Sequence, residues 1–192
     1  VPKLTMAGYS VMIKEISNQT KHYITHVFLQ AGVGGMAAGM ISGIAKYFKR
    51  IPKIIVIEPE NANCVMKSIK FGSLKKVNIQ KQSIMGGMSC AEVSLVPWRI
   101  LKNAVNNCVS VQDKYVPQTL TMLAKKKFSD KKIIAGECST PGIIGVISCC
   151  NDPLVKRKLE INEKSNILII GCEGNTDKNL YNKLYKIGNQ KL

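Results

Sequence analysis

The chain has 192 residues, of which 45% are hydrophobic and 21% charged, a composition that excludes a disordered protein and allows one substantial core. Lysine supplies nearly all of the formal net charge of +16, but the lysines are scattered and are not interleaved with aromatic residues, so we expect no nucleic-acid partner. The 7 cysteines have no zinc-ligand spacing and predict reduced thiols in a cytoplasmic protein, and the 2 histidines predict no metal site.

Short apolar runs alternate with helical stretches along the whole chain. Strands are predicted at residues 27–30, 54–58, 74–77, 108–111, 133–135 and 167–170. Helices are predicted at residues 7–19, 36–48, 62–71, 97–106, 114–126, 141–150, 152–159 and 178–187. The second and last strands are continuous apolar runs, as expected for parallel strands covered on both faces. The alternation predicts one α/β unit over residues 1–192, a mostly parallel twisted sheet with helices on both faces.

The most informative segment joins the first predicted strand to the helix that follows it. It reads QAGVGGMAAG, so that Gly32, Gly34 and Gly35 lie where strand passes into helix. Glycine lets several backbone N–H groups converge at the positive end of the helix dipole, an arrangement suited to a phosphate. The simpler interpretation is a tight turn that binds nothing.

Two ligand classes fit a loop of this kind. Gly32, Gly34 and Ala37 match the G-x-G-x-x-G/A fingerprint of dinucleotide sites, and Glu58 ends the next predicted strand about 20 residues on, as a ribose-binding acid should. The phosphate of pyridoxal phosphate is bound in the same way, by a glycine loop at a helix N-terminus. The loop alone leaves both an NAD-binding Rossmann domain and a pyridoxal-phosphate site open.

Residues 23–45 contain no Asp, Glu, Lys or Arg, and Gly35, Gly39 and Gly43 repeat a G-x-x-x-G spacing. A charge-free run of this length is typical of a membrane helix. Its first half, however, is strand-like and includes polar side chains. We therefore predict no membrane span, and expect the small residues to let a helix pack closely against the sheet.

Three further glycine-containing turns follow the apolar runs, at residues 84–92, 136–140 and 171–177. Ligands of open parallel sheets bind at the carboxyl ends of the strands. Together the turns predict one pocket lined by backbone, glycine and small polar groups.

These segments occur in the same order in one enzyme family. The sequences IEP at 57–59, SIMGGMSCAE at 83–92, GECS at 136–139 and CEGNTD at 172–177 join the glycine loop in this pattern. On these motifs the chain resembles the C-terminal half of the diaminopropionate ammonia-lyases. They belong to the tryptophan synthase β-like, fold type II, pyridoxal-phosphate enzymes. The resemblance covers nearly the whole chain.

The resemblance implies pyridoxal phosphate as the cofactor and assigns residues to it. Its phosphate would be held by the backbone amides of Gly32, Val33, Gly34, Gly35 and Met36. Gly87 and Glu92 would lie beside the ring and its imine. Cys172 stands where the family has a Ser or Thr that hydrogen-bonds the pyridine nitrogen. A thiol is a weaker hydrogen-bond partner than a hydroxyl, so this contact is expected to be weaker here.

The implied activity is α,β-elimination of 2,3-diaminopropionate to pyruvate and ammonia, by a homodimer acting on a small amino acid. The family's Schiff-base lysine lies well before the glycine loop, in a context that Lys3, Lys14 and Lys21 do not match. We therefore expect no catalytic residue in this chain and an N-terminal part that is absent from it. The chain would then be inactive alone, and a non-catalytic fragment or regulatory subunit stays an alternative.

Overall fold

A computed structural model of the chain describes residues 2–192 and shows a four-stranded parallel sheet. The strands are β1 (His26–Gln30), β2 (Lys53–Pro59), β3 (Asn107–Val111) and β4 (Ile167–Ile169), in the order β3-β2-β1-β4. All three neighbouring pairs are parallel, so the carboxyl ends of the strands meet at one edge of the sheet. The predicted parallel α/β fold is confirmed.

Helices cover both faces of the sheet. They are α1 (Pro2–Gln19), α2 (Gly35–Tyr47), α3 (Cys64–Phe71), α4 (Leu95–Ala104), α5 (Val116–Ala124), α6 (Pro141–Asn151), α7 (Pro153–Leu159) and α8 (Lys178–Asn189). Successive strand side chains point to opposite faces, so the core divides into two. Leu29 packs with α1, α2 and α4 on one face, and Phe28 packs with α5, α6 and α8 on the other.

Two of the predicted strands are wrong. Residues 74–77 and 133–135 form irregular segments, in which Leu74, Ile133 and Ile134 are exposed. An apolar run becomes a strand only where a neighbouring strand can pair with it, and sequence propensity does not supply that partner. The sheet therefore has four strands in the described part of the chain, where six were predicted.

The charge-free run 23–45 is divided between β1, a turn and α2. Its glycines serve contact between helices: a Cβ at Gly39 would lie 2.5 Å from the carbonyl oxygen of Met6, and a Cβ at Gly43 would lie 2.9 Å from the Cβ of Ile13. Gly39 and Gly43 thus let α2 pack closely against α1, whereas the small residues were expected to serve packing against the sheet. Within residues 2–192, no helix combines the length and apolarity needed to cross a bilayer.

Replacement of Gly39 by alanine is expected to lower the free energy of unfolding by about 1–3 kcal/mol, because the added methyl group must displace the backbone of α1. The measurement is urea unfolding followed by circular dichroism. Gly8→Ala is the matched control, since a Cβ at Gly8 meets nothing within 4 Å. Equal unfolding midpoints for Gly39→Ala and the unmodified chain would contradict the packing described above.

Candidate functional site

The candidate site begins in the turn that joins β1 to α2. Gly34 has a φ of 90°, in the left-handed region that favours glycine, and α2 starts at the next residue. The first hydrogen bond into the helix runs from the N–H of Ala38 to the carbonyl of Gly34, at 3.0 Å. Helix geometry leaves the N–H groups of Gly35, Met36 and Ala37 without an acceptor inside the helix. They form the positive end of the helix dipole, and the first turn contains no acidic residue.

The turn is closely packed at its start and open at the helix. A Cβ at Gly32 would lie 2.7 Å from the carbonyl oxygen of Gly87 and 2.8 Å from the sulfur of Cys90. Burial raises the pKa of the Cys90 thiol, and the backbone of Val33 beside it partly offsets the rise. At Gly35, by contrast, an added Cβ would meet nothing within 4 Å. The open space at the helix start is where an anion can approach the amides.

Asp113 holds the segment that carries Gly87. One oxygen of its carboxylate accepts the O–H of Ser83 at 2.6 Å, and the other accepts the N–H of Ile84 at 3.0 Å. Gly87 also faces the turn at residues 136–140, because a Cβ there would lie 3.5 Å from the sulfur of Cys138. The structure thus places Gly87 between the glycine turn and the turn at residues 136–140.

Glu92 lies on another side of the glycine turn. It is exposed, and its carboxylate pairs with Lys76 at 3.0 Å. Glu92 and Val33 line the same open cavity of about 490 Å³. The carboxylate is therefore engaged with a surface lysine, and its assignment beside a cofactor ring stays a prediction.

The turns at residues 136–140 and 171–177 are joined into one unit. The hydroxyl of Ser139 donates to the carbonyl of Glu173 and accepts the N–H of the same residue, both at 2.8 Å. The N–H of Cys138 donates to a carboxylate oxygen of Glu173 at 2.8 Å. These contacts bring together two segments that lie more than 30 positions apart in the chain.

Cys172 lies in this unit, next to the end of β1. Its sulfur is 3.3 Å from the carbonyl oxygen of Cys138 and 3.7 Å from the amide nitrogen of the Gln30 side chain. Cys172 is exposed as a residue, but the groups packed around its sulfur partly desolvate the thiol and raise the pKa of Cys172, and the carboxylate of Glu173 raises it further. Cys172 is therefore a neutral thiol at neutral pH, able to donate its S–H.

An acidic cluster borders the same turns. Burial raises the pKa of Glu137, and the carboxylates of Glu173 and Asp177 raise it further. One carboxylate oxygen each of Glu137 and Glu173 and the sulfur of Cys138 lie within 4.8 Å of one another. The buried position of Glu137 and the negative charges beside it thus favour its protonated form.

Glu58 does not have the role that a dinucleotide site requires. It is fully buried at the end of β2, and its two carboxylate oxygens accept the N–H groups of Val65 at 2.7 Å and Met66 at 2.8 Å. Glu58 thus caps the first turn of α3, and burial raises its pKa to about 7. A buried carboxyl group engaged in this way is not available to a ribose, which argues against the Rossmann alternative.

The side chains that assemble the carboxyl edge of the sheet were not among the predicted site residues. Gln30, Asp113 and Ser139 make the connecting hydrogen bonds, and none of them was a candidate. Only Gln30 had a signal, as a polar residue at the end of an apolar strand. The partners of Ser139 and Asp113 are distant in sequence, so no local pattern marks them.

These features define an α/β protein whose glycine turn leads into an open helix N-terminus at the carboxyl edge of a parallel sheet. Residues 2–173 match the family described as pyridoxal-phosphate dependent enzyme, and the chain belongs to this family. The predicted cofactor, pyridoxal phosphate, is the cofactor of the family, and the predicted family is confirmed.

Among its relatives, the diaminopropionate ammonia-lyase of Escherichia coli (strain K12) is 30% identical over 192 residues, covering 96% of this chain and 48% of the relative. A biosynthetic L-threonine dehydratase of Staphylococcus epidermidis is 31% identical over 181 residues, covering 91% of this chain and 39% of the relative. The crystal structure of holo diaminopropionate ammonia-lyase from Escherichia coli has a TM-score of 0.81 at 30% identity, covering 93% of this chain and 46% of that one. The chain thus spans about half the length of the ammonia-lyases it matches.

The buried carboxyl group of Glu58 is expected to make the protein less stable as pH rises. In the unfolded chain its proton is lost near pH 4.5, and in the folded chain near pH 7. Between these values the folded state binds more protons, so the free energy of unfolding falls with rising pH, by about 1–3 kcal/mol from this group. Its stabilising contribution is complete below pH 4.5 and is lost as pH rises through about 7.

Urea unfolding at several pH values between 4.5 and 8 tests this expectation. Glu58→Gln removes the titrating group and should flatten the dependence of the unfolding free energy on pH, even if the weaker helix cap lowers stability at every pH. Glu163→Gln replaces an exposed carboxylate and serves as the control. Identical slopes for Glu58→Gln and the unmodified chain would show that this carboxyl group is not perturbed.

Proposed function

We propose that the chain is the phosphate- and ring-binding part of a pyridoxal-phosphate-dependent ammonia-lyase that carries out α,β-elimination on 2,3-diaminopropionate. The observation that carries the proposal is the open helix start at Gly35 in a chain 30% identical to diaminopropionate ammonia-lyase. The donors there are neutral amides at the positive end of α2, with no acidic residue in its first turn. Such a donor set fits the phosphate of the cofactor.

Pyridoxal phosphate, when bound, supplies the electron-withdrawing ring that eases loss of the substrate's α-proton and β-amino group. We propose that the chain's own residues bind and orient it. The amides of residues 32–36 hold the phosphate, with Gly35 and Met36 the most available of them. Gly87 and Glu92 border the ring and its imine. The thiol of Cys172 donates to the pyridine nitrogen, which keeps that nitrogen largely unprotonated.

We further propose that residues 1–192 act as one unit of a longer, homodimeric and cytoplasmic enzyme whose Schiff-base lysine lies outside them. Every lysine except Lys53 is exposed in residues 2–192, and Lys53 forms an ion pair with Glu160 at 2.7 Å. A lysine that forms a Schiff base is normally activated by a desolvated site, which none of these lysines has. The seven cysteines are all free, which supports a reducing compartment.

Binding of pyridoxine 5′-phosphate tests the phosphate site. This probe has the ring and the phosphate but no aldehyde, so its affinity does not depend on a lysine. Gly35→Val should weaken binding to the 192-residue chain at least about tenfold, because the side chain fills the open space in front of the amides. Isothermal titration measures the affinity, and circular dichroism monitors the fold.

Gly8→Val is the matched control for this experiment. It also places a side chain on a helical glycine with open space around it, but on α1, away from the turn. The control should bind the probe as the unmodified chain does. If a folded Gly35→Val variant binds with unchanged affinity, the glycine turn is not the phosphate site.

Treatment of the chain with pyridoxal phosphate and then borohydride tests the proposed position of the lysine. We expect scattered labelling below one equivalent at surface lysines, because none is desolvated, and peptide mapping by mass spectrometry measures its distribution. Excess pyridoxine 5′-phosphate should leave this labelling unchanged. Stoichiometric labelling of one lysine that the probe competes away would place the Schiff-base lysine inside the chain.

A further inference from the structure

Gln30 is a buried polar residue at the carboxyl end of β1, 2% exposed. Its side-chain nitrogen donates to the carbonyl oxygens of Ile170 at 2.6 Å and Cys138 at 3.1 Å. Because both partners are acceptors, the orientation of the amide is determined: the nitrogen faces them, and the oxygen lies on the other side. That oxygen is buried and has no hydrogen-bond partner within residues 2–192. An unpaired buried acceptor lowers the free energy of unfolding by about 1–3 kcal/mol. Stability alone therefore does not explain why an amide side chain is found at this position.

The third neighbour of the Gln30 nitrogen is the sulfur of Cys172, at 3.7 Å. This sulfur is also 3.3 Å from the carbonyl oxygen of Cys138 and 3.9 Å from the hydroxyl oxygen of Ser139. The carbonyl of Cys138 thus accepts from two donors, the thiol and the amide. When the S–H turns toward a ligand, the carbonyl keeps its bond from Gln30 and is not left unpaired. The amide therefore lowers the cost of redirecting the thiol.

We propose that Gln30 is a positioning residue that frees the thiol of Cys172 to face the cofactor ring. The inference deepens the proposed function, because the ring is the group that the thiol is proposed to contact. The charged and titratable groups around the sulfur are Glu173 on its own turn and Glu137 and Cys138 on the neighbouring turn. Burial and the carboxylates of Glu173 and Glu137 raise the pKa of Cys172, and the neighbouring hydroxyl of Ser139 partly offsets the rise.

The alternative is that Gln30 only joins β1 to the turn at residues 136–140 and to the residues after β4. The variant Gln30→Met distinguishes this role from positioning of the thiol. Methionine keeps the length and approximate volume of the side chain but has no N–H donor. If Gln30 positions the thiol, its loss leaves the Cys138 carbonyl dependent on the S–H of Cys172 as its remaining donor. That bond favours the protonated thiol, so it raises the pKa of Cys172 and slows its alkylation. If Gln30 only joins the segments, the turns loosen and Cys172 is alkylated faster.

The experiment measures the rate of alkylation of Cys172 by iodoacetamide in the 192-residue chain, from pH 6.5 to 10, with peptide mapping by mass spectrometry. Gln30→Met should react about threefold more slowly at pH 8, with its pH profile displaced upward by about half a unit. Thr121→Val is the matched control, because it removes a buried hydroxyl that joins α5 to the carbonyl of Tyr185 on α8. The control should lower stability without altering the rate at Cys172.

An unchanged or faster reaction of Cys172 in Gln30→Met overturns the proposal. Gln30→Leu is a second variant that also lacks the donor but has a smaller side chain. If neither variant folds, the amide is needed to hold the sheet, and the positioning role is wrong.

In a second experiment, pyridoxine 5′-phosphate should protect Cys172 of the unmodified chain from alkylation. Absence of protection contradicts the proposed function, whereas an unchanged pH profile contradicts the role of Gln30.

Discussion

The passage from β1 into α2 within a few residues is the constraint on which the site depends. It requires the left-handed conformation at Gly34 and leaves no room for a side chain at Gly32, where the Gly87 segment is packed. Beyond the turn, α2 packs closely against α1, which the small residues Gly39 and Gly43 permit. These contacts hold the helix start at the carboxyl edge of the sheet. Amides that are fixed in place before a ligand arrives lose little entropy on binding it.

Around this turn, the carboxyl edge is assembled by polar side chains because its segments are too irregular to pair as strands. Gln30 links β1 to the residues after β4, Ser139 links the two later turns, and Asp113 holds the Gly87 segment. Each of these side chains bonds at least one backbone group, and such groups need a partner when they are buried. Specific hydrogen bonds of this kind define one arrangement of the turns, whereas apolar packing alone tolerates several. A ligand site made of turns needs that precision.

The sequence reveals those parts of the structure that local patterns determine. The strand, glycine turn and helix around Gly34 are readable because apolar character, glycine and helical spacing follow one another without interruption. The errors arise where the outcome depends on distant partners. Ile133 and Ile134 have strand character, but in the described residues no strand pairs with them. Glu58 has the position of a ribose-binding acid in the sequence, but its carboxylate accepts the first N–H groups of α3. In the sequence, Gln30 differs from its neighbours only in being a polar residue at the end of an apolar strand. Its hydrogen-bond partners lie more than 100 positions away in the chain.

The large positive charge of the chain does not come from the residues of the proposed site. The lysines that produce the net charge of +16 lie on the surface, where salt screens them, and the glycine turn itself contains no charged residue. Neutral amides at a helix start attract an anion only over a short distance, so they select it by geometry more than by charge. The proposed thiol contact from Cys172 follows the same logic, since a neutral donor leaves the pyridine nitrogen uncharged. The proposed site is therefore one that orients a cofactor through shape and hydrogen bonds.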